Sequence, residues 1–195
     1  RITSLADTLS GETGVQIRRS GGIGSPSSIS IRGSSTKQVQ VYLDGMLLND
    51  PVQGGVDLSL YSLHDIAQIE VYPGNPPARF AEAGVGGVVS MQSLDPRENP
   101  ETRLSLGGGS FGARKANLFN SGASEDFSYW ISLNRQSADN DFPYENRIEW
   151  YNPNDGEETT RRNADFEQND ASIKLGYEID GERRVDTLVQ FSDRE

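Results

Sequence analysis

The chain has 195 residues with 18 basic and 29 acidic side chains, a formal charge of −11. It has no Cys, one His and only 34% hydrophobic residues, which removes thiol catalysis, disulfides and Cys-ligated metals, and leaves no run near the roughly 20 apolar residues of a spanning helix. The negative surplus excludes a phosphate-tracking nucleic-acid binder, so no nucleic-acid partner is expected.

Arg1 opens in mid-pattern, so any targeting segment is expected upstream. Ser4 precedes Leu5-Ala6-Asp7-Thr8-Leu9, with Asp7 placed to reach back, and the spacing predicts a short capped helix closed by Gly11 and Gly14. Val15 and Ile17, Ile29 and Ile31, and Val39, Val41 and Leu43 then alternate with polar neighbours between Gly, Ser and Asp-Gly, which predicts short strands. Ser62–Ile66 reads as another capped helical turn and Ile69–Val71 as another strand. Residues 1–94, with six basic and eight acidic side chains, therefore form a compact α+β domain. Residues 95–101 hold two prolines and no apolar residue, and read as a linker.

Beyond it, in 102–195, the period is a clean two. Phe127, Tyr129, Ile131 and Leu133 alternate with Ser128, Trp130, Ser132 and Asn134, and the pattern recurs over 171–179 and 184–192. Asp180-Gly181 is a tight-hairpin dipeptide whose residues take positive φ, and 103–109 and 113–122 make a weaker first pair. Five strands result, with one apolar and one polar face. A soluble sandwich turns the apolar face inward and a transmembrane barrel turns it to lipid, and periodicity alone leaves both open. Loop asymmetry favours the barrel. The turns at 123–126 and 180–181 are tight, whereas residues 137–168 form a long polar loop. Residues 137–170 hold three basic and ten acidic side chains, so most of the charge sits there.

Several stretches, in this order, resemble the TonB-dependent outer-membrane receptors: Ile29-Ser30-Ile31-Arg32-Gly33, Val41-Tyr42-Leu43-Asp44-Gly45, Asp57-Leu58-Ser59-Leu60, Ile69-Glu70-Val71-Tyr72-Pro73-Gly74 and Gly84-Val85-Gly86-Gly87-Val88-Val89. Gly108-Gly109-Ser110-Phe111-Gly112 is similar to that family's barrel start, and cobalamin-type receptors are the nearest likeness within it. The resemblance implies an α+β plug domain followed by antiparallel strands of a transmembrane β-barrel of about 22 strands. Five strands leave an open edge in lipid. The remaining strands are therefore expected in a longer chain, the alternative being a second polypeptide.

By the same resemblance the protein sits in the outer membrane of a Gram-negative bacterium, bathed by its lipid. It is no enzyme, and imports a small-molecule or metal-chelate ligand, such as a siderophore or cobalamin. TonB would engage a segment upstream of residue 1 by strand addition. The alternative is a barrel serving as a docking or secretion-associated partner. Outward loops are expected after Gly21, Gly33 and Asn49, giving Ser25, Thr36, Lys37, Asn49, Asp50, Gln53 and Asp57 as candidate ligand contacts, although Asn, Asp and Ser also favour tight bends. Arg32 is expected to point from the plug to a carboxylate on the barrel wall, because an unpaired charge there is costly. Pro73 stands where the family usually has a second basic residue, so half of that clamp is missing.

No resident cofactor is required. Cobalamin-type receptors order extracellular loops with Ca2+, a hard cation that takes six to eight oxygen ligands, and Asp139 and Asp141 are the candidates for such a site. The acidic loop is otherwise a solvated face, and Asn152–Gly156 does not fit an EF-hand. Residues 107–112 satisfy a dinucleotide-type Gly pattern, but no helix is expected after them, so that reading is rejected. His64 is expected on the surface or packed within the plug rather than in a triad, since Asp65 faces elsewhere.

Overall fold

The computed structural model describes residues 4–22, 24–52, 54–80, 85–95, 100–146 and 157–194. Helix α1 (Leu5–Leu9) starts as expected. The Ser4 hydroxyl accepts from the Asp7 N–H at 3.1 Å and the Asp7 carboxylate accepts from the Ser4 N–H at 2.9 Å, a reciprocal cap that satisfies two otherwise orphaned donors. Strands β1 (Val15–Arg19) and β2 (Ser27–Ile31) pair antiparallel, with Ile17 opposite Ile29. Strands β3 (Val39–Leu43), β4 (Met46–Leu47), β5 (Ile66–Tyr72) and β6 (Gly87–Ser93) form a second sheet in the order β4-β3-β6-β5, parallel only between β3 and β6. Leu5, Leu9, Ile31, Val41, Leu58 and Met91 meet in one core between these sheets. Each such buried aliphatic side chain contributes about 1.5–3 kcal/mol.

The second half is a five-stranded antiparallel wall in the order β13-β12-β9-β8-β7. Its members are β7 (Thr102–Gly108), β8 (Arg114–Ala123), β9 (Phe127–Ala138), β12 (Phe166–Asp180) and β13 (Arg183–Arg194). Two details depart from expectation. Neither Asp180 nor Gly181 takes a positive φ; a register shift at 178–180 reshapes the turn, and the Asp180 carboxylate accepts from the Glu182 N–H at 3.2 Å. The long connection is also not wholly irregular. The flanking strands run on to Ala138 and start at Phe166, and β10 (Pro143–Asn146) pairs with β11 (Glu157–Thr160) inside it, so much of its backbone finds partners within a ladder.

The wall is inside-out relative to a soluble sheet. Trp130, Ser128 and Ser132 on β9 are 0%, 1% and 2% exposed against the plug, while Leu133 beside them is 48% exposed and Phe191 on β13 is 65% exposed. On β9 the serines, Asn134 and Trp130 face the folded domain, while Phe127, Ile131 and Leu133 face away from it. That is a barrel's pattern of polar lumen and apolar exterior. No helix among the described residues is long and apolar enough to cross a membrane.

Candidate functional site

At the end of the molecule carrying the long β9–β12 connection, two plug loops surround an open groove of about 950 Å3. Thr36, Lys37, Asn49, Asp50 and Asp57 all line it, so five expected ligand contacts converge. Ser25 lines a different cavity, and Gln53 lies outside the described residues.

Convergence is not availability. The Asn49 carboxamide accepts from the Val41 N–H at 2.8 Å and donates to the carbonyls of Val39 and Gly54 at 2.9 and 3.0 Å, so it stitches loop to strand. Asp50 accepts from the Val52 N–H at 2.7 Å, a turn-forming bond. Asp57 Oδ1 accepts from the Ser27 and Ser59 N–H groups at 2.9 and 3.0 Å, and its Oδ2 meets Arg194 at 3.3 Å. These three build the rim. Lys37 is exposed, its stem packs over Gly54, and its ammonium has no ion pair among the described residues. Lys37 and Thr36 are thus the polar side chains of this set left to face a ligand.

Arg32 lies just beyond β2, in a left-handed turn with Gly33 (φ 50° and 76°), and its N–H donates to the Gly14 carbonyl at 2.8 Å. It is exposed, with no carboxylate partner among the described residues. Among the described residues the plug is pinned by groups that the wall supplies. Lys174 on β12 donates to Asp44 Oδ2 at 3.0 Å and to the Ser93 hydroxyl at 2.7 Å. The Trp130 indole N–H donates to the Leu94 carbonyl at 2.9 Å. Arg194 reaches Asp57, the Ser59 hydroxyl at 3.0 Å and the Gly24 carbonyl. Burial alone would raise the Asp44 carboxyl, but the Ser93 hydroxyl and N–H and the Lys174 ammonium outweigh it and hold the group below the usual carboxylate range.

Asp65 sits deeper in the same seam. It is 7% exposed and its Oδ1 has no hydrogen-bond partner among the described residues. Burial pushes its carboxyl above the ordinary range, opposed by the Ser132 and Ser172 hydroxyls, raised again by Asp170, and opposed by Lys115. Half-buried His64 is shifted down by burial, and by Lys115 and Arg103 on the wall, which disfavours its charged form in the plug's packing.

Among the described residues, Asp139 and Asp141 included, no three His, Cys, Asp or Glu side chains group together. The Asp139 carboxylate instead lies over Gly112 and Asp141 is exposed. The Gly-rich 107–112 segment is a hairpin turn into β8. Asp44, Asp65 and Lys174 were missed from sequence. The one available signal was Lys174 as a cation flanked by Ser172 and Gly176 on the same strand face.

A folded α+β domain seated on the polar face of an outward-apolar strand wall is the architecture of a plugged barrel. The comparisons agree. Residues 1–88 match the model of the TonB-dependent receptor plug domain. The vitamin B12 transporter BtuB of Vibrio vulnificus is 33% identical over 108 residues, which is 55% of this chain and 18% of that protein. The FrpB iron transporter of Neisseria meningitidis superposes with a TM-score of 0.70 at 17% identity, over 99% of this chain and 30% of its own. The ferric enterobactin receptor PfeA of Pseudomonas aeruginosa gives 0.69 at 18% identity, over 98% and 30%. The chain thus spans less than a third of these relatives. Residues 1–88 are therefore a TonB-dependent receptor plug domain, and the strands that follow share the fold of such receptors' barrels.

Proposed function

We propose that this protein is part of an outer-membrane importer that takes up a scarce ligand, a metal chelate or cobalamin, with energy delivered through TonB. The observation that supports this reading most is the inside-out wall, whose apolar side chains face away from a folded domain seated on its serine-rich face. A stopper held by a few hydrogen-bonded pins, rather than by a continuous apolar core, is one that can be displaced and reseated. The groove around Thr36 and Lys37 opens beside the long connection, where the extracellular ligand would arrive. The exposed Lys37 ammonium favours a ligand with anionic or acceptor groups. TonB would act on the other side, adding a strand to a segment N-terminal to the plug. The relatives' names support cobalamin and ferric chelates as the first ligands to try.

The test is uptake of radiolabelled cobalamin and ferric chelates by cells carrying the full-length protein, with and without TonB. Accumulation of one of these that vanishes without TonB is expected. Binding with no uptake in either background would overturn import and favour a docking role.

A further inference from the structure

Behind the groove, on the other flank of Ser27 and Tyr61, lies a second cavity of about 460 Å3 between plug and wall. Its wall side is a grid. Lys115, Gln136 and Gln168 lie abreast on β8, β9 and β12, and Asn117, Asn134 and Asp170 form the next rung on the same face. Neighbouring strands stand about 4.8 Å apart and successive same-face residues roughly 6.7 Å. Five of these six side chains line the cavity, all but Asn117.

Much of the grid's hydrogen-bonding capacity is unspent. Asn134 is 8% exposed and its Oδ1 has no partner among the described residues, a buried acceptor that is costly to leave unfilled. The Lys115 ammonium and the Gln136 carboxamide also have no hydrogen-bond partner among the described residues. Asp170, by contrast, accepts from Gln168 at 2.8 Å and from Ser192 at 2.7 Å. At the mouth, Phe111 and Phe142 meet edge to face at 5.9 Å, and the Tyr61 ring closes the plug side.

We propose that this cavity is a second, inner binding site for a neutral polyhydroxylated molecule of monosaccharide or disaccharide size. A hydroxyl both donates and accepts, and so does a carboxamide, so a ring of hydroxyls can satisfy Asn134 and Gln136 together. Charge selects against the alternatives. An anion attracted to Lys115 would also meet Asp170, and a cation attracted to Asp170 would meet Lys115, each with little water to screen the repulsion. The aromatic rings offer apolar faces for the C–H side of a sugar ring. The volume falls within the roughly 300–1,000 Å3 of ordinary small-ligand sites. The inference does not depend on import, because binding is measured without transport.

The experiment titrates glucose and sucrose into the purified full-length protein by calorimetry, in a detergent without a sugar headgroup, with glucuronate and glucosamine as charged counterparts. Saturable binding of one neutral sugar with a Kd at or below about 1 mM is expected, and weaker binding of both charged analogues. Asn134→Leu and Lys115→Met should each weaken it about tenfold or more, whereas Lys37→Ala in the outer groove should leave it unchanged. Lys115 is only half-buried, so that variant carries the test if Asn134→Leu does not fold. No saturation up to about 10 mM, equal binding by all variants, or tighter binding of a charged analogue would each overturn the proposal.

Discussion

Replacing Lys174 by Met is expected to loosen the plug from its wall. The Lys174 side chain is 13% exposed and that of Asp44 is 23% exposed, at an N–O separation of 3.0 Å. Exposed ion pairs contribute about 0–1 kcal/mol. Removing one partner of a fully buried pair costs about 3–5 kcal/mol, since the other charge is stranded. Asp44 would keep the Ser93 N–H at 2.8 Å and the Ser93 hydroxyl, so an intermediate loss of about 2 kcal/mol follows, roughly thirtyfold in the docking equilibrium. The chain has no Cys, so Ser132→Cys in the seam, at a position 2% exposed, reports opening through its thiol labelling rate. Lys174→Met should raise that rate roughly thirtyfold, and Lys174→Arg far less. In combination with Asp44→Asn the effect should be much smaller than the sum, because the same contact is lost once. An unchanged rate, or simple additivity, would refute the assignment of this pair as a plug anchor.

Other outcomes follow from the same seam and wall. The docked Asp65 carboxyl titrates above its ordinary value, so the docked form keeps a proton that the released form gives up; its contribution is full below the ordinary carboxylate range and is lost as pH rises through the raised one. Asp65→Asn should therefore flatten the fall of the plug's thermal midpoint across that window, and an unchanged slope would count against it. Asp44 has the opposite sign, contributing above the ordinary range and losing that contribution as pH falls toward its lowered value, so Asp44→Asn should remove a loss on the acid side. Gly87→Ala would set a Cβ 2.7 Å from the Tyr72 carbonyl oxygen at a φ of 115°, and should cost about 3 kcal/mol in the plug's urea unfolding. Leu133→Arg places a charge on the outward face of β9 and should cost about 2–4 kcal/mol if that face meets lipid near the midplane, seen as lost assembly in outer-membrane fractions.

Local structure was legible because it obeys short-range rules. The Ser4–Asp7 cap and the five wall strands are stated by residue type and spacing within a few positions. The groove was legible in part, as the turn-forming residues around 36–37 and 49–57 do meet. Their roles were not legible, because an Asn or Asp that builds a loop and one that binds a ligand look alike until their partners are seen. Asn49 shows this most plainly, with both ends of its carboxamide spent on backbone. Arg32 stands just past a strand end, and its left-handed turn with Gly33 is likewise visible only in the structure.

The sequence by itself determined which side chains lie on which face of each wall strand, since the period of two admits no other division. It could not determine which face is covered, because a sandwich and a barrel share the same alternation. Only the tertiary structure decided that, by seating the plug on the serine and asparagine side and leaving Leu133 and Phe191 on the other. The same holds for Lys174, which meets Asp44 across 130 positions of chain. Contacts over such distances are made by packing whole elements together, and no local pattern encodes them.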